Sequence, residues 1–271
     1  MIELNDKQRM KFDLQSSKGN QFKWRKDNLW YKADYVGYEG LSETIVSELL
    51  KHSSLKEDEF VEYSTVQIKY NNQIYNGCAS ENFLKEGIRL ITLERLFQLN
   101  GIQLYKTLYK IDNLVERAEY LVSETIKITG LKDFGQYMSK MMAIDALFLN
   151  EDRHTHNIAV LVDQNGNYDY CPYFDCGAAL LSDTTMDYPL NQQIGELIKH
   201  VHSKTIYTDF YEQLEVFENL YGNQIKFNFT KKDIENSLEK ETNYPNETKQ
   251  RILDIILYQK NKYQYLWHST K

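Results

Sequence analysis

Three side chains with oxygen donors stand at a spacing that phosphoryl transfer uses: Asp152, Asn157 five residues on, and Asp175 beyond a short hairpin pattern. They lie in Asn150-Glu151-Asp152-Arg153-His154-Thr155-His156-Asn157 and in Tyr173-Phe174-Asp175-Cys176-Gly177. A phosphoryl group in flight spreads negative charge over its oxygens, so a protein must supply position and metal-borne positive charge. One carboxylate and one amide oxygen, completed by phosphate oxygens and water, form the sparse protein shell that Mg²⁺ tolerates. Asn157 and Asp175 are the candidate metal ligands, and Asp152 the candidate acceptor of a hydroxyl proton. Each alone reads as a turn residue, because Asp and Asn hydrogen-bond their own backbone. The three together, between apolar elements, point to a site.

The elements that must position them are legible. Phe134, Tyr137, Met138, Met141 and Leu149 recur at helical spacing and predict an amphipathic helix over 133–149. The loop 150–157 follows it directly. Ile158-Ala159-Val160-Leu161-Val162 reads as a buried strand, Asp163-Gln164-Asn165-Gly166-Asn167 as a turn with an Asn-Gly signal, and 168–173 as the returning strand. Such a hairpin is expected to bring Asn157 and Asp175 side by side.

The pattern Asn150-x-Asp152-Arg153-His154-x-x-Asn157, then a hairpin and Asp175-x-Gly177, resembles the HipA-like kinase family. The resemblance implies that Asp152 is the catalytic residue and that Asn157 and Asp175 bind the metal. The order differs from ordinary eukaryotic protein kinases, where His-Arg precedes the Asp. His154 belongs to the family motif and is expected to order the loop beside the nucleotide by hydrogen bonds; His156 carries no assignment. A zinc reading of His154-x-His156 lacks a cysteine pair or third histidine at suitable spacing.

The resemblance extends toward the N-terminus. Ser16-Ser17-Lys18-Gly19-Asn20-Gln21-Phe22-Lys23 looks like the family's phosphate-covering loop, which places Lys18, Gly19, Asn20 and Gln21 at the nucleotide. One glycine with Ser and Asn is also the ordinary composition of a turn. Asn28-Leu29-Trp30-Tyr31-Lys32-Ala33 is an apolar strand pattern interrupted by a lysine, and a helix pattern with Leu41, Ile45 and Leu49 on one face follows. By resemblance Lys32 is the phosphate lysine and Glu43 its partner. Glu39 and Glu48 compete for that role, since acidic residues in a first helical turn are favoured by the helix dipole alone. Residues 62–77 alternate around Asn71-Asn72 as another hairpin. The resemblance makes the following 78–84 a hinge touching adenine, with Glu81 and Phe83 as contacts. Ser16, with Ser17 second, falls where some family members phosphorylate themselves; a phosphate there adds nearly two negative charges beside the nucleotide.

Composition sets the frame. The 271 residues, 42% of them hydrophobic, suffice for a sizeable core. A formal charge of −7 argues against direct nucleic-acid binding, which usually shows a basic face. Cys78, Cys171 and Cys176 form no paired framework and read as reduced thiols. No secretory h-region and no span-length apolar run is present, so a cytoplasmic protein without membrane contact is expected, with export to another cell left open. Asn228-Phe229-Thr230 and Asn246-Glu247-Thr248 match the glycosylation pattern by chance.

The expected fold is α+β, bilobal and protein-kinase-like: a small strand-rich N-lobe over 1–80 and a mostly helical C-lobe over 81–271. Helices are predicted over 91–100, 112–128, 133–149, 194–203, 207–221, 231–240 and 246–266. Toxin-type family members usually carry a subdomain before the nucleotide loop, where this sequence has only 1–15, so a minimal kinase core is expected. By resemblance the function is ATP- and Mg²⁺-dependent phosphorylation of serine or threonine on a protein, with an antitoxin as a candidate partner. A small-molecule or lipid-headgroup kinase and a nucleotide-binding pseudokinase scaffold are the alternatives.

Overall fold

The computed structural model describes residues 1–10 and 21–267. In chain order the elements are β1 (Ile2–Glu3), β2 (Lys23–Lys26), β3 (Leu29–Ala33), α1 (Glu39–Leu50), β4 (Tyr63–Tyr70), β5 (Gln73–Glu81), β6 (Arg89–Thr92), α2 (Leu93–Leu99), α3 (Leu104–Leu108) and α4 (Leu114–Thr129). They continue as α5 (Phe134–Phe148), β7 (Ala159–Val162), β8 (Tyr168–Tyr170), α6 (Ile194–Ile198), α7 (Phe210–Tyr221), α8 (Lys231–Glu239) and α9 (Asn246–Lys262). The chain divides into two compact units. One comprises Met1–Phe83, Phe174–Val201 and Lys226–Lys271; the other, Leu84–Tyr173 and His202–Ile225.

The first unit is built on a five-stranded sheet of order β1-β4-β5-β3-β2, antiparallel except for the β1–β4 pair. Its central hairpin turns through two residues, Asn71 and Asn72, with φ of 47° and 63°. That left-handed pair matches the strand twist, and asparagine tolerates it better than other side chains. One face of the sheet gathers Leu4, Trp24, Tyr31, Ala33, Ile68 and Tyr70 into a core cluster. Helix α1 is buried along nearly its whole length, polar residues included. It can lie this close because Gly40 meets Gly77 of β5: a Cβ on Gly40 would stand 2.5 Å from the Gly77 carbonyl carbon. Two glycines thus let a helix backbone rest directly on the strand next to the one that carries Lys32.

The second unit holds an antiparallel sheet of order β6-β7-β8 and the helices around α5. Helix α5 is buried almost all round, including Ser139 and Asp145, rather than presenting a wet face. The neighbours α4 and α7 pack on it and take up the side that its sequence pattern leaves open. The β7–β8 hairpin closes through the expected Asn-Gly turn, with Asp163 Oδ1 accepting from the Asn165 and Asn167 amides and Gly166 at φ 84°.

Most helices fall where periodicity puts them, and the departures have local causes. The predicted start at 91 fails because Arg89–Thr92 pairs with β7 as a strand; Thr92 then caps α2 by accepting from the Arg95 amide. Asp209 caps α7 in the same way, so that helix starts at Phe210 rather than 207. Helix α6 stops at Ile198, well short of 203, while α3 was not foreseen. No helix among the described residues is long and apolar enough to cross a membrane.

Candidate active site

In the first unit the chemistry gathers on Lys32. Its Nζ lies 2.5 Å from Glu43 Oε1 and 2.7 Å from Asp175 Oδ1. The other Glu43 oxygen, Oε2, accepts from the Cys176 amide at 2.8 Å, so one buried carboxylate holds both the lysine and the backbone just after Asp175. Asp175 takes a left-handed backbone, φ 62°, a region that Asp visits more readily than most residues. Tyr63 stacks on the Lys32 ammonium, 5.3 Å from ring centroid to Nζ, and its hydroxyl makes a long 3.5 Å contact to the Asp175 amide.

The electrostatics follow from this packing. Burial alone would lower the Lys32 pKa, but the carboxylates of Asp175 and Glu43 outweigh it and hold the ammonium well above its ordinary value. Burial raises Glu43, offset by the Lys32 charge and raised again by Asp175. Burial likewise pushes the Tyr63 hydroxyl and the Cys78 thiol well up, so both stay neutral beside the lysine.

The competing glutamates are occupied elsewhere. Glu39 accepts from the amides of Tyr35, Val36 and Gly37 and fastens the turn into α1, while Glu48 pairs with Lys51. In that turn Asp34 accepts from the Gly40 amide at 2.6 Å and from the Tyr244 hydroxyl at 2.8 Å. Its pKa is pushed up to about 7 by burial and by the nearby Glu39 carboxylate.

The remaining residues expected at a nucleotide are spread more loosely. Phe83 lies 6.0 Å from Phe174, ring to ring, and both pack on Val61, Tyr63 and Cys78, which ties the segment after β5 to the residue preceding Asp175. Glu81 is exposed at the end of β5, opposite Leu29, and Gln21 is half-buried before β2. Ser16, Ser17, Lys18, Gly19 and Asn20 lie outside the described residues.

In the second unit the loop 150–157 is fixed from beneath by a buried ion pair. Arg153 Nε donates to Asp145 Oδ2 at 3.0 Å and Nη2 to Oδ1 at 3.2 Å, with side-chain exposures of 1% and 0%. Asn150 Nδ2 also donates to Asp145, at 2.9 Å, and Arg153 Nη1 donates to the Asn157 carbonyl at 3.2 Å. One aspartate on α5 thereby sets both ends of the loop. Leu149, the C-cap of α5, takes φ 57°, strain that the buried leucine and this network hold in place. Thr155 donates to Glu94 at 2.9 Å.

Around Asp152 the groups are close and specific. Asn157 Nδ2 donates to the Asp152 carbonyl at 2.8 Å and approaches Oδ2 at 3.3 Å, which leaves the carboxamide oxygen with no donor among the described residues. A bare amide oxygen is the donor type that a hard cation takes. His154 Nε2 stands 3.7 Å from Asp152 Oδ1. Burial lowers the His154 pKa against the pull of Asp152, and neighbouring His156 and Lys204 lower it further. The two histidine rings meet nearly edge to face, centroids 5.5 Å apart. Among the described residues no three His, Cys, Asp or Glu side chains gather as a metal cluster.

Sequence reasoning passed over Asp145, Tyr63 and Lys204. A signal existed for Asp145: a charge in an otherwise apolar helix needs a partner, and Arg153 is the next cation along the chain after Lys140. Tyr63 and Lys204 carry no comparable mark.

By architecture the chain is an α+β protein that shares its overall fold with a solved kinase structure. Among solved structures it is similar to the proinflammatory kinase CtkA of Helicobacter pylori, with a TM-score of 0.59 and 18% identity, over 98% of this chain and 95% of that one. A chain of the Shewanella oneidensis HipA, HipB and operator DNA complex gives a TM-score of 0.47 and 12% identity, over 92% of this chain and 62% of that one. No protein-family model and no curated protein matches the sequence.

Proposed function

We propose that this protein is an ATP- and Mg²⁺-dependent kinase that phosphorylates serine or threonine hydroxyls on a protein. The observation that carries the reading is the Lys32 ammonium held between Glu43 and Asp175, the arrangement that kinases use to present a lysine to nucleotide phosphates. Lys32 binds those phosphates. Asp152 accepts the acceptor's hydroxyl proton as its oxygen attacks the γ-phosphorus; the bridge to the β-phosphate breaks and ADP leaves. Asn157, through its undonated amide oxygen, and Asp175, through its carboxylate, are the residues that would hold Mg²⁺. The metal, when bound, neutralises charge on the phosphate oxygens.

The buried Arg153 keeps the loop in place, while His154, whose Nδ1 makes no hydrogen bond among the described residues, stands beside Asp152 and is assigned to the nucleotide. Ser16, with Ser17 second, is the proposed self-phosphorylation site, and the toxin half of a toxin–antitoxin pair is the proposed setting, with an antitoxin as partner. Glu81, Phe83 and Gln21 are assigned to the nucleotide, together with Lys18, Gly19 and Asn20.

The test is intact-mass and phosphopeptide analysis of the purified protein with ATP and Mg²⁺, beside Asp152→Asn and Asp175→Asn. Phosphate gained by the wild type and absent from both variants is the expected result. Nucleotide binding with no transfer to any protein hydroxyl, its own or an added one, overturns the protein-kinase reading in favour of a small-molecule kinase or a scaffold.

A further inference from the structure

Lys204 sits in the segment between α6 and α7, among residues of the second unit that are fastened on both sides of it. Ser203 Oγ accepts from the buried Gln213 side chain at 2.7 Å, and the Ser203 amide donates to the Thr208 carbonyl at 2.9 Å. On the other side Thr205 Oγ1 donates to the Arg153 carbonyl at 2.6 Å, and Arg117 donates to the Ile206 carbonyl. Ser203, Thr205 and Ile206 are all but fully buried, whereas the Lys204 side chain is 40% exposed. The neighbours thus tie the segment to the loop that carries Asp152, and a lysine projects from the tie.

Its Nζ stands 3.8 Å from Asp152 Oδ1. That separation is beyond hydrogen-bond length, so the ammonium is attracted by the carboxylate without being consumed by it. No hydrogen bond from this ammonium is formed among the described residues. Half-exposed and beyond hydrogen-bond length of the carboxylate, such a lysine adds little to stability. Its placement matters once Asp152 receives a proton, because a hydroxyl hydrogen-bonded to that carboxylate sits about 3–3.5 Å from the phosphorus it attacks. A flexible cation 3.8 Å from the same carboxylate is within side-chain reach of the oxygens of a group being transferred there.

We propose that Lys204 is a catalytic residue that donates to the transferring phosphoryl group of ATP and stabilises the charge that builds on it. The inference rests on the reading of Asp152 as the proton acceptor in a kinase. In the balanced step the hydroxyl oxygen bonds to the γ-phosphorus, its proton passes to Asp152, and the bridging bond's electrons leave with ADP. Lys204 keeps its own protons and donates hydrogen bonds to the equatorial oxygens. Such a contact counts most in the transition state, so it belongs in turnover rather than in ATP affinity.

The experiment compares wild type, Lys204→Met, Lys204→Arg and Asp152→Asn in the full chain. It measures ADP release and protein phosphorylation with ATP and Mg²⁺, binding of ADP with and without aluminium fluoride, and thermal midpoint. Expected for Lys204→Met is a loss of turnover on the order of 10²-fold or more, with KM for ATP within about threefold and the thermal midpoint unchanged. Tightening of ADP by fluoride should also disappear, and Lys204→Arg should recover part of both. Wild-type turnover in Lys204→Met, while Asp152→Asn is inactive, overturns the role of Lys204 and leaves the kinase reading standing. A loss of turnover matched by a fallen thermal midpoint, with fluoride tightening intact, also overturns it by assigning the lysine a structural part. A wild type that neither turns over ATP nor responds to fluoride overturns both readings together.

Discussion

Replacing Asp145 by alanine tests whether the loop carrying Asp152 is held by charge burial. The carboxylate and the Arg153 guanidinium are 0% and 1% exposed, so the substitution leaves a cation without its partner in a dry interior. Breaking a buried pair from one side costs about 3–5 kcal/mol, and the orphaned Asn150 amide adds about 1 kcal/mol. A loss of about 5 kcal/mol lowers protection against hydrogen exchange on the order of 10³- to 10⁴-fold, at 1.4 kcal/mol per decade. Exchange is the right probe because Trp24, Trp30 and Trp267 all lie in the other unit, so fluorescence does not report on this one. The peptide to follow is Phe134–Phe148, helix α5 itself.

The companion variant carries Asp145→Leu and Arg153→Met together. Removing both charges should restore most of the protection, since an apolar pair of similar volume is often as stable as a buried ion pair. The proposed transfer activity should be lost in this variant all the same, because nothing then donates from position 153 to the Asn157 carbonyl. Protection in Asp145→Ala within about threefold of wild type, or a double variant as unprotected as the single one, would refute the argument from an uncompensated charge.

Two further outcomes follow from the first unit. Asp34, with its pKa raised to about 7 from 3.8, contributes stability that is full below about pH 4 and lost as pH rises through about 7. Asp34→Asn mimics the protonated form, so relative to wild type it should gain about 2–3 kcal/mol between pH 5 and 8 in chemical denaturation followed by tryptophan fluorescence; a constant difference across that range contradicts the assignment. Gly77→Ala would put a Cβ 2.1 Å from the Lys32 carbonyl oxygen, backbone that cannot swing aside. It should cost on the order of 1–3 kcal/mol and weaken nucleotide binding in calorimetry, and an unaltered thermal midpoint would show that β3 moves more freely than its packing implies.

How much of this could be read beforehand depended on whether the relevant constraint is local. Asp152 and Asn157 sit in one loop, where a hydrogen bond joins them, and Asn71-Asn72 in one two-residue turn, so spacing and turn chemistry make both local arrangements legible. Lys32 stood out as a charge in an apolar strand. Helix starts at 93 and 210 slipped because the capping Thr92 and Asp209 are single residues whose effect shows only when strand pairing and loop path are known. Tyr63 escaped notice because a tyrosine on a strand is ordinary until another segment supplies the ammonium beneath it.

The choice among Glu39, Glu43 and Glu48 shows where sequence information ends. At about 100° per residue, Glu48 points roughly 140° away from Glu43, so helical phase alone could have set it aside. Glu39 and Glu43 share a face, and no periodicity separates them. What does is hydrogen-bond demand: the unpaired amides of the turn into α1 take Glu39, while the lysine and the Cys176 amide take Glu43. That demand is created by the tertiary path of the chain at 35–37 and at 175–176. Charge pairing at a buried site is therefore decided by which backbone donors the fold leaves unsatisfied nearby. By the same logic Lys204 could not be singled out among the 32 basic residues until the Thr205 hydroxyl was seen to bind the Arg153 carbonyl.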